Sequence, residues 1–71
     1  MLENDIFLER FLLRHATNLT IRQAASLMDL LDLSDNDLLD LHLGKKEPAQ
    51  VDIQLDRSDV LEVLGMLREN R

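Results

Sequence analysis

His15 and His42 are the two side chains of this 71-residue sequence that ordinarily titrate near neutrality. With no cysteine and no tyrosine, acid–base work would fall to them or to a carboxylate with a raised pKa. Neither has a relay partner at a telling spacing. His15 falls near the end of a first helix and His42 one turn from the end of a third, where a cationic or dipolar side chain complements the helix dipole. No His pair stands at i, i+4, so a zinc site is not expected. Ser34-Asp35-Asn36-Asp37 has the opening acids of a calcium loop but lacks its glycine and distal glutamate, which leaves an acidic helix start. The two glycines, Gly44 and Gly65, lie too far apart for a phosphate loop. The sequence therefore predicts no enzyme, no metal and no cofactor.

What remains is chemistry of association. Asp29-Leu30-Leu31-Asp32-Leu33 is echoed by Asp37-Leu38-Leu39-Asp40-Leu41, which would place leucines and carboxylates on adjoining helices, a surface suited to a basic or amphipathic partner helix. The formal net charge of -6 repels the nucleic-acid backbone and anionic lipid headgroups alike. Glu3, Asp5, Glu9, Arg10 and Arg14 interrupt the N-terminal apolar stretch, so neither a signal peptide nor a membrane span is expected there. Together with the missing cysteines, this points to the cytoplasm.

The elements that must carry these residues form a single domain, residues 1–71, because shorter pieces would bury no core of their own. A first helix spans about Leu2 to Ala16, with Asn4 a candidate cap and apolar residues over most of its girth. Thr20 and Gln23 form a capping box for a second, ending near Leu31, whose inward residues read as Ile21, Ala24, Ala25, Met28 and Leu31. Ser34 caps a third, which Gly44 ends. Beyond Pro48, Val51, Ile53 and Leu55 alternate with polar residues at the period of a strand or extended segment, about 51–55. A last helix starts at Asp56 or Ser58 with Val60, Leu61, Leu64 and Leu67 inward. The expected fold is mainly α, a compact bundle of four short helices with that one strand. Phe7, Phe11, Leu38, Leu41, Val51, Ile53 and Leu55 are its expected protein-binding or dimer residues, because a chain this short has little interior in which to hide them.

Phe7-Leu8-Glu9-Arg10-Phe11, Leu19 to Ala25, the helix opened by Ser34, Gly44 and Pro48 together resemble a Cro/C1-type, lambda-repressor-like helix-turn-helix over residues 7–48. The resemblance implies a helix-turn-helix-like core. It also implies DNA contacts from Arg22 and Gln23, a base-reading Asn36, and Lys45 and Lys46 as phosphate anchors. The stretch from Met28 to Ser34 is longer than that family's turn, and Asp35, Asp37 and Asp40 stand where donors are usual. The leading expectation is thus a small acidic regulator or adaptor that binds protein, itself as a homodimer and an unidentified partner. The alternative is a helix-turn-helix DNA-binding regulator.

Overall fold

A computed structural model describes residues 2–69, except for the side chain of Leu2, so that residue's place on the apolar face of the first helix lies outside the described residues. Helix α1 runs Leu2–His15, α2 Ile21–Leu31, α3 Asp35–Leu43, α4 Pro48–Val51 and α5 Ser58–Arg68, with one 3-10 turn at Ile53–Leu55. The mainly helical fold is as expected. Among the described residues there is no strand.

Local chemistry sets most boundaries. Thr20 Oγ1 accepts from Gln23 N at 3.0 Å while Gln23 Oε1 accepts from Thr20 N at 2.9 Å, the expected capping box. Ser34 caps α3 by accepting from Asp37 N, and Gly44 ends it with φ 78°, a left-handed conformation that side chains disfavour. Asn4 is not a cap, since α1 starts at Leu2. It is buried two residues into the helix and donates to the Asp35 carbonyl at 2.9 Å, fixing α1 against the start of α3.

The expected strand is replaced by two short turns. Pro48 opens α4, where its fixed φ and missing N–H cost nothing, and Gln50 Oε1 accepts from Glu47 N at 2.7 Å. Asp52 then caps the 3-10 turn by accepting from Gln54 N at 3.0 Å. These side chains satisfy the backbone that a strand would have offered to a neighbour, so Val51 is half-buried, Ile53 is 71% exposed and only Leu55 reaches the core.

Helix α5 is the hub, packing against α1, α2 and α3, and it buries Val60, Val63, Leu64 and Leu67. Leu61, expected inward, is partly exposed because Val63 takes its place. Phe7 and Phe11 of α1, Leu27 and Leu30 of α2, and Leu38 and Leu41 of α3 complete one core cluster. Each contributes about 1.5–3 kcal/mol by leaving water.

Helix α2 presents to that core the face opposite to the expected one. Ile21 is 92% and Met28 62% exposed, Leu31 is partly exposed, and Ala24 and Ala25 also face outward. Inward stand Leu27, Leu30 and a polar pair. Ser26 is buried and donates to Asp59 Oδ2 at 2.8 Å, and half-buried Gln23 donates to Glu62. Polar groups of α5 satisfy these α2 side chains, which lets a face of mixed polarity serve as the inner one.

Candidate functional site

Residues 3, 6, 7 and 10 fall on one side of α1 at i, i+3, i+4 and i+7, and residues 39, 42 and 43 share one side of α3. Where the helices converge, Glu3, Ile6, Phe7, Arg10, Leu39, His42 and Leu43 line an open cleft of about 490 Å³. Its floor is an aromatic stack: the rings of Phe7 and His42 lie 3.8 Å apart, 10° from parallel. Ile6 and Leu43 stand partly exposed, and Glu3 and Arg10 give the apolar floor one charge of each sign.

The walls are held from both ends. Asn4 joins α1 to α3 beside Asp35. At the far end, Arg68 of α5 donates Nε and Nη2 to the Leu41 carbonyl at 2.9 and 2.8 Å, adding a side-chain clasp to the bond that this carbonyl accepts from Gly44 N at 3.2 Å. Arg68 Nη2 also lies 3.7 Å from Glu47. The cleft is therefore presented by braced helices, as a docking face requires.

Of the expected protein-binding residues, Phe7 forms the floor of this cleft. Phe11, Leu38, Leu41 and Leu55 are core residues outside its lining, Phe7 itself is only 5% exposed beneath it, and Val51 and Ile53 lie elsewhere on the two short turns. Leu39 enters the sequence reading only through the echoed leucine–aspartate motif, and Ile6 and Leu43 are not among its binding residues, although the i, i+3, i+4, i+7 spacing on α1 is visible. Glu3 and Arg10 enter the sequence reading only as charges that interrupt the N-terminal apolar stretch.

The histidines do no acid–base work visible in this geometry. His42 is buried within the stack, and His15 tilts against Phe11 at 5.0 Å with no hydrogen-bond partner for its buried Nε2. Among the described residues no three His, Asp or Glu side chains gather as metal ligands, and no helix is long and apolar enough to cross a membrane.

Comparison with known proteins decides the family. The family profile described as flavinator of succinate dehydrogenase matches residues 1–69. The chain belongs to that family. A curated member, the FAD assembly factor SdhE of Ralstonia nicotianae (strain ATCC BAA-1114 / GMI1000), is 46% identical over 68 residues, covering 96% of this chain and 68% of its own length. No solved structure matches the chain.

Membership in this flavinator family makes the chain a non-enzymatic adaptor that acts by binding protein, and it overturns the resemblance to a Cro/C1 helix-turn-helix. The capping and packing residues behind that resemblance are those any short helical hairpin needs. In the fold, α2 packs chiefly on α5 and makes at most slight contact with α3, so the pair is not a helix-turn-helix unit. Lys46 lies 3.8 and 3.7 Å from Asp37 and Asp40, Gln23 is consumed by its cap and Glu62, and exposed Asn36 sits between Asp35 and Asp37. Arg22 and Lys45 are exposed but far apart in sequence, on separate elements.

The family's flavin does not fit this chain's own residues. Gly44 closes a helix C-terminus and Gly65 lies inside α5, so neither forms a phosphate-binding loop. In the α1–α3 cleft, the single cation Arg10 shares the lining with Glu3, whose carboxylate repels a pyrophosphate.

Proposed function

We propose that this chain assists the assembly of FAD into succinate dehydrogenase by docking its α1–α3 cleft on the polypeptide that accepts the flavin. The names of its family and of its relative support the target. The observation that carries the docking face is the Phe7–His42 stack flanked by exposed Ile6 and Leu43, an apolar centre with Glu3 and Arg10 at its margin. Protein interfaces share that anatomy, a desolvated aromatic centre within a polar rim. The flavin belongs to the partner, and the adaptor's part is to hold that partner in a form that accepts it. The compartment is then the cytoplasm, where a bacterial flavoprotein would be met before its assembly.

The test uses the flavin-free flavoprotein of succinate dehydrogenase, incubated with FAD with and without this chain. Retained flavin is measured by absorbance after gel filtration. Wild type should speed incorporation. Leu43→Glu, which places a charge in the apolar cleft from a partly exposed position, should abolish most of that effect while leaving the helical circular dichroism intact. If wild type and Leu43→Glu accelerate incorporation equally, the cleft is not the docking face. If wild type has no effect, the function itself is wrong.

A further inference from the structure

We propose that the outward face of α2 is a second, independent docking surface whose occupant is the same face of a second copy, arranged antiparallel about a two-fold axis between Ala24 and Ala25. Ile21, Ala24, Ala25, Met28 and Leu31 follow one another at helical spacing over almost three turns, and all are turned to solvent. A run that continuous is costly to expose on a small domain. It lies on the far side of α2 from the residues packed on α5, so it belongs neither to the core nor to the α1–α3 cleft.

The order of residues selects the occupant. About an axis between Ala24 and Ala25, each of these alanines meets the other of the second copy, so small side chains sit where the helices come closest. The same operation sets Ile21 opposite Met28 at both ends, a branched side chain against a flexible one that adapts to it.

The charges obey the same symmetry. Arg22 and Asp29 are two turns apart on one flank of the face, and a rise of about 1.5 Å per residue brings Arg22 of one copy to within about 3 Å, along the helix axis, of Asp29 of the other. Asp29 is already held by Arg57 at 2.7 Å, which fixes its carboxylate to receive a second cation. Arg22 is exposed, and no ion pair among the described residues involves it. A partner with a wholly basic rim would face Arg22 with a like charge, whereas a second copy offers an acid to Arg22 and a base to Asp29. The face of one three-turn helix is smaller than the roughly 800 Å² per partner of a standard interface, so the association is weak and reversible, in the micromolar range.

Sedimentation velocity from about 5 to 500 µM brackets a dissociation constant in that range, and about 0.15 M salt screens the repulsion between two acidic bodies. A reversible monomer–dimer equilibrium is expected. Met28→Glu should weaken it at least roughly tenfold by burying an unpaired charge against Ile21 of the other copy at each end, and Arg22→Glu should weaken it by a smaller factor that shrinks as salt is raised. Because the chain has no cysteine, Ala25→Cys offers a clean reporter, which should give a cross-linked dimer under mild oxidation while Leu13→Cys on α1 gives far less. A monomer throughout the range, a dimer indifferent to Met28→Glu, or equal cross-linking at both positions would overturn the proposal. Met28→Glu should still promote flavin incorporation fully. Loss of that activity would assign the stripe to the flavoprotein instead, and would likewise overturn self-pairing while leaving the docking of the α1–α3 cleft to its own test.

Discussion

The Ser26 hydroxyl of α2 donates to Asp59 Oδ2 of α5 at 2.8 Å, joining two helices through a hydrogen bond across 33 residues of sequence. That hydroxyl is the largest influence holding the Asp59 carboxyl below its ordinary pKa, with Arg57, 3.3 Å away, acting in the same direction. A carboxyl with a lowered folded pKa adds stability above its unfolded value, near 4, and that stability is lost as the pH falls through the lower folded one. Ser26→Ala should therefore raise the Asp59 pKa towards its unfolded value and move the acid-unfolding midpoint upward. Circular dichroism between about pH 2 and 6 spans that window. An unchanged midpoint would show that the contact does not contribute.

Arg68 should not tolerate even its closest substitute. Its planar fork brings two nitrogens to the Leu41 carbonyl, and a lysine ammonium offers no such pair. Arg68→Lys should cost about 1–2 kcal/mol in urea unfolding, and flavin incorporation should fall with it, because Leu43 sits two residues beyond the clasped carbonyl. Equal midpoints for the two proteins would contradict this.

The two glycines should respond with opposite signs. A Cβ at Gly65 meets nothing within 4 Å, so Gly65→Ala within α5 should raise stability by about 0.5–1 kcal/mol. Gly44 holds the left-handed conformation that ends α3, and Gly44→Ala should lower stability by about 1–2 kcal/mol. Thermal melts of the pair check both at once.

Ile53 and Leu55 separate the alternating pattern from the fold it suggested. On a half-buried strand both would lie inward, and an acid at either position would be severe. With Ile53 out in solvent, Ile53→Asp should change stability by no more than about 0.5 kcal/mol, whereas Leu55→Asp should cost several-fold more. Similar losses for the two variants would restore the strand.

What could be read in advance was whatever the chain settles within one turn of itself. Thr20 with Gln23, Ser34 with Asp37, and Gly44 are short-range motifs, and they put the helix boundaries in their right places. The orientation of α2 was hidden because it depends on Ser26 meeting Asp59 and Gln23 meeting Glu62, partners 33 and 39 residues away. Without them, Ile21, Ala24 and Met28 looked like the natural inner face. The segment from Pro48 to Leu55 failed differently, since period-two apolarity is also produced by two successive turns, and the caps from Gln50 and Asp52 decided between them. The cleft was half legible: Phe7 was singled out, but its neighbour in space, His42, comes from a helix that only folding brings alongside.

The Arg68 clasp makes the tail of α5 a handle on a surface it does not itself form. Proteolytic nicking before residue 68, or a rigid fusion that pulls on the last turn of α5, would release the end of α3 and slacken one wall of the cleft without touching any residue that lines it. Attachment through a long spacer beyond residue 69 spares that clasp, and comparing the two attachments reads out how far bracing, as distinct from contact, governs the adaptor's grip.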